Sequence, residues 1–319
     1  HVHAVGERER ELEGDNTAAR WLARMPGGQT GVVARITRGE GPVTACRFDM
    51  DALPLAEAGE DGHKPVDEAY VSRRDNVHHA CGHDGHTAIG LGFAEWLQHP
   101  DSDWSGTVKL VFQPAEEGGR GALPMAEAEV VDDAEWFFAA HLGCGLPSGK
   151  VAAASRGMLN STKLDASFAG IPAHAGANPE DGANAILAAA AATVNLYAIS
   201  RVSSGSTRVN VGKVSGGTAR NIIADACHLE LEVRGETTEA AEYMERRARE
   251  VLEAAAAMHG VSCEITVAGQ TVSPDQDRAA CDVVTRVASQ VPGVEEVLDE
   301  FRVTGGEDAP FLMRRVQAK

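Results

Sequence analysis

The stretch Val43-Thr44-Ala45-Cys46-Arg47-Phe48-Asp49-Met50-Asp51-Ala52-Leu53-Pro54 decides how this chain folds. A short run of strand character ends abruptly on a polar cluster closed by proline. Two later stretches repeat the arrangement. Val108 to Phe112 opens onto Gln113-Pro114-Ala115-Glu116-Glu117-Gly118-Gly119, and Trp136 to Ala140 opens onto His141-Leu142-Gly143. Three polar clusters therefore stand at the C-terminal ends of three predicted strands. In an open α/β sheet that edge is where ligand sites are built. Between the first and second clusters lies His79-Ala80-Cys81-Gly82-His83-Asp84-Gly85-His86. Thiolate and imidazole suit a borderline-soft cation such as zinc, and a short loop can aim both at one point. The interleaved glycines let backbone approach an ion without side-chain crowding.

Outward from these clusters, Gly31 to about Val151 alternates strand and helix, which predicts a mostly parallel sheet. His86 to Leu97 is expected to be helical, with Ile89, Phe93, Ala94 and Leu97 on its apolar side. Residues 1–30 are charged, weakly patterned and expected to be helical around Thr17 to Met25. A different rhythm starts near Ser161. Thr162 to Phe168 alternates like a half-buried strand. Asn178-Pro179-Glu180-Asp181 has the composition of a helix start, and that helix is expected to run to about Ser200. Two strands follow, Arg208 to Val214 and Ala226 to Val233, then a helix from Glu239 to His259 stopped by Gly260, and a strand from Val261 to Val267. The order β-α-β-β-α-β is the split ferredoxin-like arrangement. After about Val272 the α/β rhythm resumes, so the second domain is expected to be inserted into the first.

The chain has 319 residues, with 47 acidic against 29 basic ones and a formal charge of −18. That balance argues against nucleic acid or an anionic membrane surface as partner. The six cysteines, Cys46, Cys81, Cys144, Cys227, Cys263 and Cys281, form no compact framework and are expected to be free thiols of a cytoplasmic protein. The uncharged stretch Gly182 to Ser200 is alanine-rich and carries Asn184, Thr193 and Asn195, so it is expected to be a buried or interface helix, not a membrane span.

With these motifs placed, the chain resembles the M20 family of metal-dependent peptidases and amidohydrolases, in the branch that cleaves N-acyl and aroyl amino acids. The matching segments are Arg47 to Pro54, His79 to His86, Gln113 to Gly118, Gly170-Ile171-Pro172-Ala173-His174-Ala175-Gly176, Gly217-Thr218-Ala219-Arg220-Asn221-Ile222-Ile223 and Gly306-Glu307-Asp308. They span almost the whole chain. The resemblance implies a zinc-peptidase-like α/β catalytic domain, its mixed and mostly parallel sheet sandwiched by helices, and an inserted ferredoxin-like α+β lid or dimerisation domain. The catalytic domain is expected over 1–155 and 270–319, the insert over 160–268. Two divalent cations, zinc or manganese, would be held by Cys81, His83, Glu117 and His141, with Cys81 bridging them and Asp51 orienting a ligand from behind. Glu116 would be the general base towards a metal-activated water, and His174 would stabilise the oxyanion, in relatives often across a dimer interface. Asn221 and Arg234 match groups that hold the substrate carboxylate. Arg220 is added because it adjoins Asn221. The implied partners are a small N-acyl amino acid substrate, such as an aroyl-glutamate, and a second chain in a homodimer or heterodimer.

Blander roles stand beside these. Glu116 and Glu117 could be a solvated loop, His141 an ordinary strand-end histidine and His174 a cap. Arg234 could be a salt-bridge partner on an exposed sheet face, and Arg220 a solvated turn residue. His78, His86 and Cys144 are read as structural or supporting. Relatives carry one more metal histidine beyond the Gly-Glu-Asp segment, and this sequence ends at Lys319 before that point. A non-catalytic or partner-dependent homologue with an incomplete metal site is therefore the alternative function. A metal-free cysteine hydrolase using Cys81 and a nearby histidine is a third. No Gly-x-Ser-x-Gly elbow, phosphate-binding glycine loop or His-Glu-x-x-His helix occurs, which disfavours serine hydrolases, nucleotide enzymes and zincins.

Overall fold

The computed structural model describes Trp21, Arg24, Met25 and residues 29–318. The helix expected around Thr17 to Met25 falls almost wholly outside the described residues. The rest separates into two compact units, each with its own four-stranded sheet.

The first unit comprises the described residues up to Glu117, Gly121–Gly143 and those from Leu312 onward. Its strands are β1 (Val32–Arg38), β2 (Val43–Asp49), β3 (Gly106–Gln113) and β4 (Trp136–Ala139), arranged β1-β3-β2-β4. β2 runs parallel to both β3 and β4, whereas β1 pairs antiparallel with β3. The sheet is thus mixed, with a parallel core of three strands. Register sets Asp49 beside Gln113 and Arg47 beside Ala139, so the three C-terminal ends lie together on one edge. Helices α1 (Lys64–Asp67), α2 (His83–Gln98) and α3 (Ala122–Glu127) lie wholly within this unit.

Helix α2 covers β2 and β3. Leu97, Leu110 and Phe112 form the buried contact, flanked by Phe48, Phe93 and Trp104. Gly90 is the point of closest approach: a Cβ there would lie 2.7 Å from a Phe112 ring carbon and 2.8 Å from the Phe48 ring. The expected apolar side of this helix needs one correction, since Ile89 is 52% exposed. The buried line runs through His83, His86, Gly90 and Leu97 instead, tilted by the polar residues at its N-terminal end. The helix also starts three residues before His86, so His83 and His86 stand on its first turns and not on a loop.

The second unit comprises Gly118–Arg120 and Cys144–Phe311. Short strands β5 (Lys150–Ala152) and β6 (Ser155–Arg156) lead into β7 (Asn160–Ala169), α4 (Ala185–Tyr197), β8 (Thr207–Gly216), β9 (Ala226–Gly235), α5 (Thr238–Met258) and β10 (Ser262–Thr271). Helix α6 (Arg278–Ala288) and strands β11 (Glu296–Leu298) and β12 (Phe301–Arg302) follow, the strands pairing in parallel with β5 and β6; the last helix, α7 (Pro310–Gln317), starts at the end of this stretch and from Leu312 counts with the first unit. The main sheet is antiparallel throughout, ordered β10-β7-β9-β8, which is the split ferredoxin-like topology. Both α4 and α5 pack against it. Leu164, Phe168, Leu229, Leu231 and Val233 from the strands meet Ala188, Ala192 and Leu196 of α4 and Met244, Ala248 and Leu252 of α5. The α5 residues recur every four positions, the spacing of one helix face. Thr237 caps α5 by accepting from the Ala240 amide at 3.2 Å.

Helix α4 begins later than expected. Asn178 caps no helix, and Pro179–Asp181 form only a 3-10 turn. Ala183 then pairs with Ile171 in a β-bridge, which uses the backbone groups a helix would need. Asn184 takes over as the cap, accepting from the Leu187 amide at 3.1 Å. Among the described residues no helix is long and apolar enough to cross a membrane.

Candidate metal centre

At the C-terminal edge of β2, β3 and β4 the ionisable side chains fall into two overlapping groups. Ligand-capable atoms of Cys81, His83 and His141 lie within 4.8 Å of one another, as do those of His83, Glu116 and Glu117. His83 belongs to both. Four elements deliver these residues: the turn before α2, the first turn of α2, and the segments after β3 and β4. Gly82 adopts φ +89° as the N-cap of α2, a left-handed conformation that costs side chains about 1–2 kcal/mol and glycine almost nothing. It turns the chain so that Cys81 and His83 converge. Ala115 takes φ +58°, unusual for a residue with a Cβ, and reverses the chain just before Glu116. Gly121 closes that loop, because a Cβ there would stand 1.7 Å from the Pro114 carbonyl oxygen.

The orientation of His83 follows from its partners. Its Nδ1 lies 3.0 Å from the Asp51 carbonyl oxygen and 3.3 Å from the Asp51 carboxylate. The proton therefore sits on Nδ1, and Nε2 carries the lone pair. That Nε2 is buried and makes no hydrogen bond. It lies 3.6 Å from Asp49 Oδ2 and 3.9 Å from Glu116 Oε2, surrounded by acceptors it cannot bond. A buried lone pair facing carboxylates is what a cation resolves. The residues present thus fit a divalent metal on the chemistry of their own atoms. Asp51 also accepts the Glu117 amide at 3.0 Å, so one carboxylate braces two members of the cluster. Burial opposes ionisation of Asp51, but the His83 and backbone hydrogen bonds outweigh it and lower its pKa. Burial likewise disfavours a charge on His83, yet Asp51 and Asp49 hold its pKa above the ordinary value.

His141 Nδ1 donates to the Leu142 carbonyl at 2.7 Å, which turns Nε2 towards Cys81 Sγ at 3.5 Å. Asp49, His83 and His86 also lie close enough for a metal, but the hydrogen bonds argue otherwise. His86 Nε2 accepts the Leu142 amide at 2.8 Å while its Nδ1 donates to Asp49 Oδ1 at 2.5 Å, so neither ring nitrogen remains. Asp49 Oδ2 receives Arg47 at 2.6 Å, and Arg47 Nε donates to Gln113 at 2.8 Å. Arg47, Asp49 and Gln113 are all at most 2% exposed. Burial raises the Asp49 pKa, but His86 and Arg47 overcome this and bring it to about 2. This chain of contacts ties β2 and β3 to the His141 loop. Sequence reasoning assigned no role to Arg47 or Asp49. The available signal was two charged residues two apart inside an otherwise apolar strand.

The remaining expected site residues lie in the second unit. His174 and Ile222 form a β-bridge, and Ala175 N donates to the Asn221 carbonyl at 3.0 Å, so His174, Arg220 and Asn221 share one loop cluster. His174 Nδ1 accepts the amides of Gly176 at 3.2 Å and Ala177 at 3.1 Å. Its proton is therefore on Nε2, pointing an N–H donor outward. Arg234 is not brought to this cluster. Within one chain it sits eight residues along β9 from Ala226, about 26 Å at the rise of an extended strand.

Residues 45–319 match the peptidase family M20/M25/M40. The chain is 46% identical over 299 residues to an indole-3-acetyl-aspartic acid hydrolase of Enterobacter agglomerans, covering 93% of this chain and 69% of that protein. It is 44% identical to a p-aminobenzoyl-glutamate hydrolase subunit of Escherichia coli K12, over 94% and 69% respectively. Among solved structures, an aminobenzoyl-glutamate utilization protein from Klebsiella pneumoniae superposes with a TM-score of 0.86 at 38% identity, covering all of this chain and 74% of the other. A dinuclear metal-binding M20 peptidase from Bacillus subtilis gives a TM-score of 0.65 at 28% identity, over 96% and 80%. The mixed sheet with its polar edge, the separate antiparallel sheet and these likenesses agree: the chain belongs to peptidase family M20/M25/M40 and is a hydrolase of that family.

Proposed function

We propose that this chain is a metal-dependent amidohydrolase that cleaves the amide bond of N-acyl or N-aroyl amino acids. The observation that carries this is the buried, unbonded Nε2 of His83 at the meeting point of two ligand groups. Cys81, His83, Glu117 and His141 would hold two divalent cations, zinc or manganese. Such cations supply Lewis acidity, polarising a carbonyl and making water acidic near neutral pH. Glu116 is 8% exposed and adjoins His83, which supports it as the group that would take the proton of the attacking water. It later returns that proton to the amine that leaves. His174 offers its Nε2–H to the oxygen that becomes negative when the carbonyl is attacked. Asn221 and Arg234, with Arg220 adjoining Asn221, would hold the substrate carboxylate. The named relatives act on an aspartate and a glutamate conjugate, which supports an acidic amino acid in this chain's substrate as well.

The catalytic domain would comprise 1–155 and 270–319, with 160–268 as the lid. A small substrate cannot touch both ends of β9 in one chain. This supports a dimer, with itself or a related subunit, in which one chain presents His174 and Asn221 to its partner's metal centre. Helix α4 offers a surface for it: Leu187, Val194 and Tyr197 are exposed at 52%, 70% and 48%, beside the edge strand β8.

The 3.5 Å approach of Cys81 to His141 favours a second chemistry, a metal-free thiolate–imidazole pair. Chelation separates the two. Under the metal reading, EDTA abolishes hydrolysis of p-aminobenzoyl-glutamate and added zinc or manganese restores it. Glu116→Ala should lower kcat by roughly 10²–10⁴-fold without loss of metal. Activity that survives EDTA, or a Glu116→Ala protein as fast as the parent, refutes the assignment.

A further inference from the structure

The open face of the antiparallel sheet, away from α4 and α5, carries charges that the mechanism only partly uses. Strand β9 alternates buried Leu229, Leu231 and Val233 with Glu230, Glu232 and Arg234 on the opposite side. Register places Arg208 of β8 directly across from Arg234. Cross-strand partners of this kind have Cβ atoms about 5 Å apart, where like charges repel. Arg234 is countered: Nε donates to Glu232 Oε1 and NH2 to Glu232 Oε2, both at 3.1 Å. That two-pronged contact is what a guanidinium makes with any carboxylate. Arg208 has no acidic partner among the described residues, and its one hydrogen bond runs from NH1 to the Thr207 carbonyl at 2.8 Å. In a chain with 47 acidic and 29 basic residues, only one of these two facing arginines holds a carboxylate.

We propose that Arg208 and Arg234 together seat the two carboxylates of an acidic amino acid, with Glu232 as the internal carboxylate that the substrate displaces from Arg234. The inference rests on the amidohydrolase reading and deepens it, because it assigns selectivity for the amino-acid half to residues of this chain. At Arg234 the substrate exchanges one bidentate pair for another, so the exchange is nearly even. Glu232 keeps the guanidinium extended and satisfied until the ligand arrives. At Arg208 the substrate supplies a partner that was lacking, so discrimination between dicarboxylate and monocarboxylate substrates falls there.

The test compares Arg208→Gln, Glu232→Gln and Arg234→Gln in the metal-loaded full chain with p-aminobenzoyl-glutamate and with hippurate, which lacks the second carboxylate. Calorimetric binding of glutarate adds a readout independent of turnover, and melting curves show that each variant folds. Arg208→Gln should raise KM for the glutamate substrate and weaken glutarate roughly 10- to 100-fold, the worth of a charged hydrogen bond, and leave hippurate unchanged. Glu232→Gln should lower that KM and tighten glutarate by about 2- to 5-fold at constant kcat, as loss of a partly exposed competing ion pair allows. Equal effects of Arg208→Gln on both substrates, or a raised KM in Glu232→Gln, overturn the proposal and leave Arg234 as a carboxylate holder. If Arg234→Gln leaves both KM values unchanged, the carboxylate reading itself fails.

Discussion

Replacing Asp51 with alanine tests whether the metal centre is organised from behind. The substitution removes the acceptor of the Glu117 amide at 3.0 Å and the carboxylate 3.3 Å from His83 Nδ1. His83 keeps its bond to the residue-51 carbonyl at 3.0 Å, so its tautomer survives while one of its two anchors is lost. A hydrogen bond to a charged acceptor is worth roughly 1.5–3 kcal/mol, and the deletion falls on the placement of two proposed ligands. Cation affinity should therefore drop about 10- to 100-fold, or about 1.4–2.7 kcal/mol, the range typical of residues that orient metal ligands. Competition for zinc against a chromophoric chelator near neutral pH measures this directly. Asp51→Asn, which still offers an oxygen to the Glu117 amide, should fall between parent and alanine variant. An Asp51→Ala protein that binds zinc within about threefold of the parent, under roughly 0.7 kcal/mol, refutes the bracing argument.

Asp49→Asn leaves the Arg47 guanidinium buried opposite a neutral amide and should cost about 3–5 kcal/mol in urea unfolding. The folded Asp49 carboxyl lies at about 2, below its unfolded value of about 3.9, so its stabilisation is complete above the unfolded value and lost as pH falls towards 2. The parent's loss of stability across that acid window should be shallower in Asp49→Asn; identical slopes contradict the assignment. Gly82→Ala forces a side chain into φ +89° and should lower stability by about 1–2 kcal/mol, with a parallel loss of zinc affinity because Cys81 and His83 flank the turn. Gly90→Ala drives a methyl into the Phe48 and Phe112 rings and should destabilise by about 1–3 kcal/mol, yet leave metal affinity unchanged. Mixing Glu116→Ala and His174→Ala chains should restore activity if the site is shared between two protomers; a mixture no more active than its components argues for one-chain sites.

How far the sequence alone reaches can be judged element by element. Strands β2, β3 and β4 were legible because each is a short apolar run that stops on a polar cluster, and parallel strands buried on both faces have that composition. The ferredoxin-like unit was legible because period-two and helical patterning alternate cleanly there. The start of α2 was not, because its N-cap, Gly82, is a glycine and offers no capping side chain. The start of α4 was misplaced because Asn178-Pro179 imitates a cap, while the bridge from Ala183 to Ile171 depends on a contact that local patterning does not contain. The polar segments that carry Cys81, His83, Glu116, Glu117 and His141 were anticipated from residue type and strand ends, and the choice of these five within them came from the family resemblance. The buried path through Arg47, Gln113, Asp49 and His86 was not, since it depends on which polar atoms meet once the strands pair.

The distance from Ala226 to Arg234 has an evolutionary corollary. If cation chemistry is anchored at one edge and oxyanion help arrives from another chain, the two duties can drift apart after gene duplication. One copy could then lose its cysteine-histidine motif and still be retained, so long as the loop bearing His174 and Asn221 keeps its shape. Selection would see such a copy as a helper, and mutations that silence it alone would still be felt by its partner.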